Sequence, residues 1–468
     1  MEINTHPTEI LEVEITDFDH KGMGVAKYVH PPAGAQSEGR NLFIHVPSAL
    51  PGDVVQVTVE NAKGRRRAVV DYDKIIQSAP SRMGQWEEGE PRPGGTPLRF
   101  MDYPAQLDYK ENDVKDCLVD EGFSADLVQP ILGMEDPYHY RNKMELTFGQ
   151  NGTLGMHEQG NYRTIVDYTE SVIAPEEMLE VKEVVSDWQK AWNLDPYDKE
   201  TKEGLLRHLM LRKSQATGEL MVSLFTTEDT SQRQEEAEDL TQRLSGKFEH
   251  LASLIWIKNT DIADRTQAQE EYVLYGRDFI YDELSGFQYQ VWFDTFFQPN
   301  PLQAEKMVDI ALDFAEVNDS MRVLDLFCGV GTFSLPFAAR SKELAGIEIV
   351  ETSIESAKYN AKENGIDNTY FLARDARKGM SELEETWGTP DLILLDPPRD
   401  GAGGKVMRRI GRLGTDQVIY VSCNPKSLAE DLTWLRDFGY ELKTVQPVDQ
   451  FPHTLHVESI ALLKKVRN

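Results

Sequence analysis

The last third of the chain leaves the fewest architectures open. From residue 321, short apolar runs alternate with segments of helical period: MRVLDLF, TFSLPFAAR, ELAGIEIV, SIESAKYNAKEN, TYFLAR, DLILLDPP, VMRRIGRL, QVIYVSC, SLAEDLTWLRDF and ELKTVQPV. A strand that is apolar without alternation is buried on both faces. Strands separated by helices give a parallel sheet covered on each side. The pattern predicts a doubly wound α/β domain, preceded near 301–317 by an amphipathic helix carrying Leu302, Met307, Ile310, Ala311 and Phe314. Ligands of such sheets sit at the carboxyl ends of the strands.

The first part reads differently. Between about 9 and 76, LEVEITDFDH, KGMGVAKYV, NLFIHVP and DVVQVTVENAKGRRRAVVDYDKII are short strands with turn punctuation, the pattern of a small β-barrel, and PPAGAQSEGR reads as an exposed loop. The Pro- and Gly-rich stretch 78–98 reads as a linker. From about 100 to 290 helices at 104–122, 175–193 and 230–246 mix with strands across 139–167, which predicts an α+β region. The expected domains are 1–78, 79–290 and 291–468.

Composition narrows the function classes. A chain of 468 residues needs two or three domains. No stretch approaches the roughly 20 apolar residues of a membrane helix, and MEINTHPTEILEVEI carries no secretory signal pattern. A cytoplasmic protein without a membrane partner is expected, with a monomer as the simplest state. Three cysteines, Cys117, Cys328 and Cys423, can build neither a disulfide framework nor a four-cysteine metal site, so no metal is expected. The net charge of −30 tilts against a polyanionic partner, but Lys63, Arg65, Arg66 and Arg67 are bunched, as are Lys405, Arg408, Arg409 and Arg412.

The segment VLDLFCGVGTF is a strand entering a Gly turn and then a helix, where glycine lets backbone approach a ligand. Glu348 ends the next strand, 23 positions beyond Asp325, and suits the hydroxyls of an adenosine ribose. The turn lacks the G-x-G-x-x-G of dinucleotide sites, and Asp325 suits a cationic sulfonium better than a pyrophosphate. Asp375 ends the following strand, either facing an adenine amino group or capping a helix.

Two further strand ends carry the chemistry. In LLDPPRDG two prolines fix an extended loop and aim Asp396. Arg399 stands where amino-group methyltransferases with an Asp-Pro-Pro loop carry an aromatic residue. In VSCNP, Cys423 ends a strand beside the expected pocket, where a thiolate can act as nucleophile. Uracil carbon 5 becomes nucleophilic when a thiolate adds at carbon 6, and the carbon-5 hydrogen must then leave to a base. Glu458, in PHTLHVES, is the expected base, with His456 orienting or assisting on the same face of the strand. Cys117 and Cys328 read as packing residues.

With these residues in place, the chain resembles the RNA uracil-5 methyltransferase family over essentially its whole length. The resemblance rests on FFQPN at 296–300, VLDLFCGVGTFSL, GIEIV, LLDPPRDG, VSCNPKSLAEDL and FPHTLHVESIALL. It implies a Rossmann-like class I methyltransferase domain behind an α+β central RNA-binding domain and an N-terminal TRAM domain, a β-barrel of OB type. By matching motif it implies S-adenosylmethionine contacts at Gln298, Phe327, Thr332, Glu348, Asp375 and Asp396, nucleophile Cys423 and base Glu458. Phe296 matches a position that stacks or supports RNA bases; without the resemblance, Phe296 and Phe297 read as core. Arg65, Arg66, Arg67 and Arg399 are the expected RNA contacts. Many members hold an iron–sulfur cluster, but Pro93-Gly94-Gly95-Thr96 and Ser171 stand at the cysteine positions, so none is expected here.

The full layout points to 23S ribosomal RNA as substrate, with the T-loop uridine of transfer RNA as the alternative. An amino-group methyltransferase using the Asp396 loop, and an RNA chaperone retaining only the scaffold, are the rival classes.

Overall fold

The computed structural model describes residues 8–30, 40–62, 65–87, 89–261 and 266–466. Lys63 and all but Arg40 of the loop expected at 31–40 lie outside them. The chain divides into two compact units. One comprises 1–106, 147–173 and 453–455; the other comprises 107–146, 174–452 and 456–468.

In the first unit, Thr8–Glu14, Val54–Glu60 and Tyr72–Gln77 form a three-stranded sheet, and Asp17–Phe18, Gly24–His30, Arg40–Val46 and Arg67–Val69 a four-stranded one. Alternation decides what points inward: Leu42, Ile44 and Val46 from one sheet share a core with Val55, Val57 and Val59 from the other. The stretch expected as a linker carries no helix or strand among its described residues, yet it is anchored. Buried Asp53 pairs with Arg82 and accepts the Ala79 amide at 2.8 Å, and the Trp86 indole donates to Ser48 Oγ at 3.1 Å. A hydrogen-bonded segment of this kind forfeits buried partners if it detaches, so it behaves as part of the unit. At the positions where a cluster would need cysteines, the Gly94 amide donates to the His157 carbonyl at 2.8 Å and the Ser171 hydroxyl lies 2.6 Å from that of Tyr168.

The second unit begins within the helix Tyr103–Asp120 and contains a sheet in which Leu206–Lys213, Leu220–Thr226, Leu251–Lys258 and Glu270–Gly276 are successive neighbours. Leu220–Thr226 and Leu251–Lys258 run parallel, joined through the helix Gln234–Lys247. The helix Glu176–Trp192 packs beside it, with the Trp188 indole donating to the Glu236 carbonyl at 2.9 Å.

The C-terminal sheet has seven strands: β1 (Arg322–Leu326), β2 (Glu343–Glu348), β3 (Thr369–Ala373), β4 (Leu392–Leu395), β5 (Gln417–Ser422), β6 (Tyr440–Val448) and β7 (Glu458–Lys465). Their order is 3-2-1-4-5-7-6, with β7 antiparallel to both neighbours. The helices are α1 (Pro301–Ala315), α2 (Ser334–Ala338), α3 (Glu351–Glu363), α4 (Ala376–Thr386), α5 (Gly403–Leu413) and α6 (Pro425–Arg436). Successive strand residues feed two cores. Leu392 and Leu394 belong to one, Ile393 and Leu395 to the other, and Ile419 and Tyr420 divide in the same way. This two-sided burial is why the strands read as unbroken apolar runs. In α1, Met307 and Ala311 are buried as expected, but Leu302 is exposed; Ala304 and Val308 complete the inward face instead. Leu302 falls on the helix face it shares with Lys306, Asp309 and Asp313, turned away from the buried one.

Candidate active site

The informative residues collect at the carboxyl ends of β1, β2, β3, β4 and β5. Between β1 and α2 the chain reverses tightly. The amides of Phe327 and Cys328 both donate to the Ile347 carbonyl, at 2.8 and 3.2 Å. Phe327 has φ 64°, a left-handed conformation that costs a non-glycine residue about 1–3 kcal/mol and is tolerated where the surrounding structure enforces it. A Cβ on Gly329 would meet nothing within 4 Å, so the turn presents bare backbone to open space. Cys328 is buried, as its packing role predicts; its Sγ would lie 3.0 Å from a Cβ on Gly346. Thr332 is half-buried in the same turn.

Asp325 lies under this turn, buried and accepting from Ser334 Oγ at 2.5 Å. Burial pushes its carboxyl up to about 8, with the Asp396 and Glu348 carboxylates adding to the rise. Glu348 takes the amides of Ile349 and Val350 on one carboxylate oxygen, at 2.7 and 2.9 Å. Asp375 is the N-cap of α4, accepting from the amides of Arg377 and Lys378 at 3.2 and 3.3 Å.

Gln298 is buried, its side-chain oxygen 3.4 Å from Gln450 Nε2 and its carbonyl accepting from Asn142 at 2.9 Å. Its neighbours diverge. Phe297 is core, against Tyr289, whereas Phe296 is 69% exposed, which corrects the reading of both as core residues. A ring left in water beside a buried glutamine is a surface for something planar.

At the next strand end the Asp396 amide donates to the Leu326 carbonyl at 3.3 Å, and burial raises the Asp396 carboxyl to about 7. Arg399, exposed, donates to His456 Nδ1 at 2.7 Å, while Asn424 Nδ2 donates to the Arg399 carbonyl at 2.9 Å. Burial, then Arg399, Lys110 and Arg141, depress the His456 imidazole to about 4. His456 is therefore neutral at ordinary pH. Because arginine can only donate, Nδ1 is the acceptor and Nε2 carries the hydrogen.

The β5–β7 register sets the remaining pair. Ser422 is paired with Ser459, so Cys423 and Glu458, the next residue of each strand toward the pocket, lie at one end of the sheet. Cys423 is half-buried between that end and α6, whose cap is Asn424, accepting from the Lys426 amide at 3.1 Å. Burial, then the Glu458 and Asp396 carboxylates, push the Cys423 thiol up to about 12, against a smaller opposing pull from Arg399. Glu458 is 6% exposed, and its Oε2 is buried without a hydrogen-bond partner among the described residues. Burial and the Asp396 charge hold its carboxyl well above the usual range.

One residue escaped the sequence reading. Asp431 of α6 accepts from Tyr420 and from the amides of Ala402 and Gly403, tying β5 to the loop after Gly401. A Cβ on Gly401, at φ 80°, would lie 2.7 Å from this carboxylate. The signal was the glycine that closes the Asp-Pro-Pro loop, which had no explanation of its own. Arg65, Arg66 and Arg67 are exposed in the other unit, with Arg67 3.7 Å from Asp19.

A family model described as tRNA (Uracil-5-)-methyltransferase matches residues 102–466. The chain belongs to the tRNA (uracil-5-)-methyltransferase family. Within this family the chain aligns almost end to end with its relatives. It is 36% identical over 463 residues to an uncharacterized RNA methyltransferase of Halalkalibacterium halodurans, covering 97% of each chain. It is 33% identical over 452 residues to one of Clostridium tetani, covering 96% of this chain and 95% of the other. Its fold matches the tRNA (uracil-54, C5)-methyltransferase of Pyrococcus abyssi, solved in complex with S-adenosyl-L-homocysteine, with a TM-score of 0.73 and 25% identity over 97% of this chain and 100% of that one. Family membership makes this chain an RNA methyltransferase, and the site at the strand ends is where its chemistry is to be sought.

Proposed function

We propose that the chain methylates carbon 5 of a uridine in RNA, using S-adenosylmethionine and a covalent adduct between Cys423 and carbon 6. The observation that carries this reading is the register that brings Cys423 and Glu458, a buried carboxyl with an oxygen unpartnered among the described residues, to the adjoining ends of β5 and β7. Asp396 and Arg399 act on the same thiol.

The residues fit the cofactor. The turn at Gly329 is open to a ligand, and a cation bound there would draw the buried Asp325 carboxyl beneath it back toward its ionised form. Gln298, Phe327, Thr332, Glu348, Asp375 and Asp396 would hold it, Glu348 by the ribose and Asp375 by the adenine. When bound, it supplies the electrophilic methyl group that carbon 5 takes.

The protein's own residues do the rest. Cys423 gives up its proton to solvent, and its thiolate adds to carbon 6, the 5,6 π electrons moving onto carbon 5 and the carbon-4 carbonyl oxygen, which makes carbon 5 nucleophilic. After methylation, Glu458 takes the carbon-5 hydrogen as a proton. The electrons left in that bond re-form the 5,6 double bond and expel the Cys423 thiolate. A raised carboxyl is the stronger base for a proton on carbon. Neutral His456, held by Arg399, orients the entrance, and exposed Phe296 offers a stacking surface for the base, which must leave its stack to reach Cys423.

The N-terminal barrel, residues 1–78, is read as a TRAM domain that binds RNA through Arg65, Arg66 and Arg67, with 79–290 as the central RNA-binding domain and 291–468 as the methyltransferase domain. The barrel favours 23S ribosomal RNA as substrate. The fold match to an enzyme acting on uracil 54 of tRNA favours the T-loop as the second reading. No helix among the described residues is long and apolar enough to cross a membrane, and a monomeric cytoplasmic enzyme without a metal is the proposed form. The test is to incubate the protein with S-adenosylmethionine and unmodified ribosomal or transfer RNA and quantify nucleosides by mass spectrometry. 5-Methyluridine in one pool names the substrate; methylated adenosine or guanosine instead overturns the reading.

A further inference from the structure

Helix α5 divides its residues cleanly. Val406, Met407, Ile410 and Leu413 face the core, which leaves Lys405, Arg408, Arg409 and Arg412 at i, i+3, i+4 and i+7, one continuous basic face. With Arg377 and Ser381 of α4, these four line an open cleft of about 360 Å³. In a chain of net charge −30, four cations on one helix face run against the overall balance.

Two of the cations are matched from within. Arg409 pairs with Glu384, and Arg377 lies 3.7 Å from Asp375. Arg408 is laid over the Trp434 ring at 4.4 Å, which fixes its direction but leaves its charge. Lys405, Arg408 and Arg412 have no ion-pair partner among the described residues, and Lys405 and Arg412 are exposed. The two exposed cations stand about 10 Å apart along the helix, a reach suited to more than one phosphate.

The cleft begins beside the proposed reaction centre. α4 starts from Asp375, and α5 springs from the Asp396–Gly401 loop, held there by Asp431. An RNA strand whose target base enters that end of the sheet carries phosphates on either side of it, and this basic face offers them cations. We propose that the α4–α5 cleft binds the phosphodiester backbone of the substrate RNA next to the target uridine, through Lys405, Arg408 and Arg412. This deepens, and rests on, the reading of the chain as an RNA uridine methyltransferase. The cleft is a binding surface and takes no part in bond making.

The test uses the full chain and the unmodified RNA that the wild type methylates. Binding is measured over a range of salt for wild type and Lys405→Ala/Arg412→Ala, two exposed residues whose loss leaves the core untouched. If both contact phosphates, affinity falls about tenfold or more and the log–log salt slope shrinks by about 1.4–1.8. KM for RNA rises while kcat at saturating RNA holds, and Lys405→Arg/Arg412→Lys restores both slope and KM. Unchanged S-adenosylhomocysteine affinity confirms that the variant is folded. An unchanged slope and KM beside normal wild-type turnover overturns the proposal alone and gives the face to another partner, such as an acidic protein. A wild type that neither binds nor methylates RNA overturns the underlying reading as well.

Discussion

Tyr420 donates its hydroxyl hydrogen to Asp431 at 2.7 Å, and the same carboxylate oxygen accepts the Ala402 amide, also at 2.7 Å. One buried acid thus fixes the far end of the loop that begins at Asp396. Replacing Asp431 by alanine leaves the buried Tyr420 hydroxyl and the Gly403 amide without their acceptor, a loss of about 1–3 kcal/mol for each group so stranded, while the Ala402 amide keeps only its longer bond to the Tyr420 oxygen, at 3.2 Å. We expect Asp431→Ala to lower kcat and thermal stability together, and Tyr420→Phe, which removes one donor, to cost about 1 kcal/mol. Denaturant unfolding and steady-state kinetics check both; a variant of unchanged stability would contradict the clamp.

The Cys423 thiol stands at about 12 in the free protein, raised by burial and then by Glu458 and Asp396. Alkylation by iodoacetamide, followed at this residue by peptide mass spectrometry, should be slow at neutral pH and rise about tenfold per pH unit, because only the thiolate reacts. Glu458→Gln removes a repelling charge and should speed labelling at a given alkaline pH. Arg399→Ala removes the opposing cation and should slow it. Labelling that is fast and flat with pH would mean a thiol already ionised.

His456 stands at about 4 through burial, Arg399, Lys110 and Arg141. Its imidazole resonances should not titrate across the neutral range in the wild type. In Arg399→Ala the midpoint should move up toward the ordinary histidine value, since one cation opposing protonation is gone. A wild-type midpoint near 6.5 would remove the neutral-histidine assignment.

Three acids at the strand ends share one sign. Asp325 is raised to about 8, Asp396 to about 7, and Glu458 well above its usual value, burial being the first cause in each. A folded-state pKa above the unfolded value means that the folded protein holds more protons between them. Their contribution is complete below the unfolded carboxyl range and is lost as pH rises through the folded values. Thermal unfolding of the ligand-free protein should show stability declining between about pH 5 and 8, and Asp325→Asn should flatten that decline. An Asp325→Asn curve parallel to wild type would contradict the assignment.

The C-terminal domain was legible because burial on both faces of a parallel sheet writes itself as uninterrupted apolar runs, as in LILL of β4 and VIYV of β5. The strand-end acids followed from the same logic, since each terminates such a run. What local pattern could not reveal was partnership across long separations. Asp431 meets the loop 29 positions earlier, and Cys423 meets Glu458 only through the antiparallel β5–β7 register. Phe296 and Phe297 are adjacent and chemically identical, and only the packing of Tyr289 against one of them separates core from surface. The segment 78–98 reads as loose by composition because its anchors are a buried salt bridge and single hydrogen bonds, which leave no periodicity.

The adduct on Cys423 is the central claim, and nucleoside mass spectrometry after incubation with S-adenosylmethionine and unmodified RNA tests it most directly, comparing wild type with Cys423→Ala. The account predicts 5-methyluridine with the wild type and none with the alanine variant, which should still bind S-adenosylhomocysteine normally. An alanine variant that retains full activity would contradict it and move the reaction centre to the Asp396 loop.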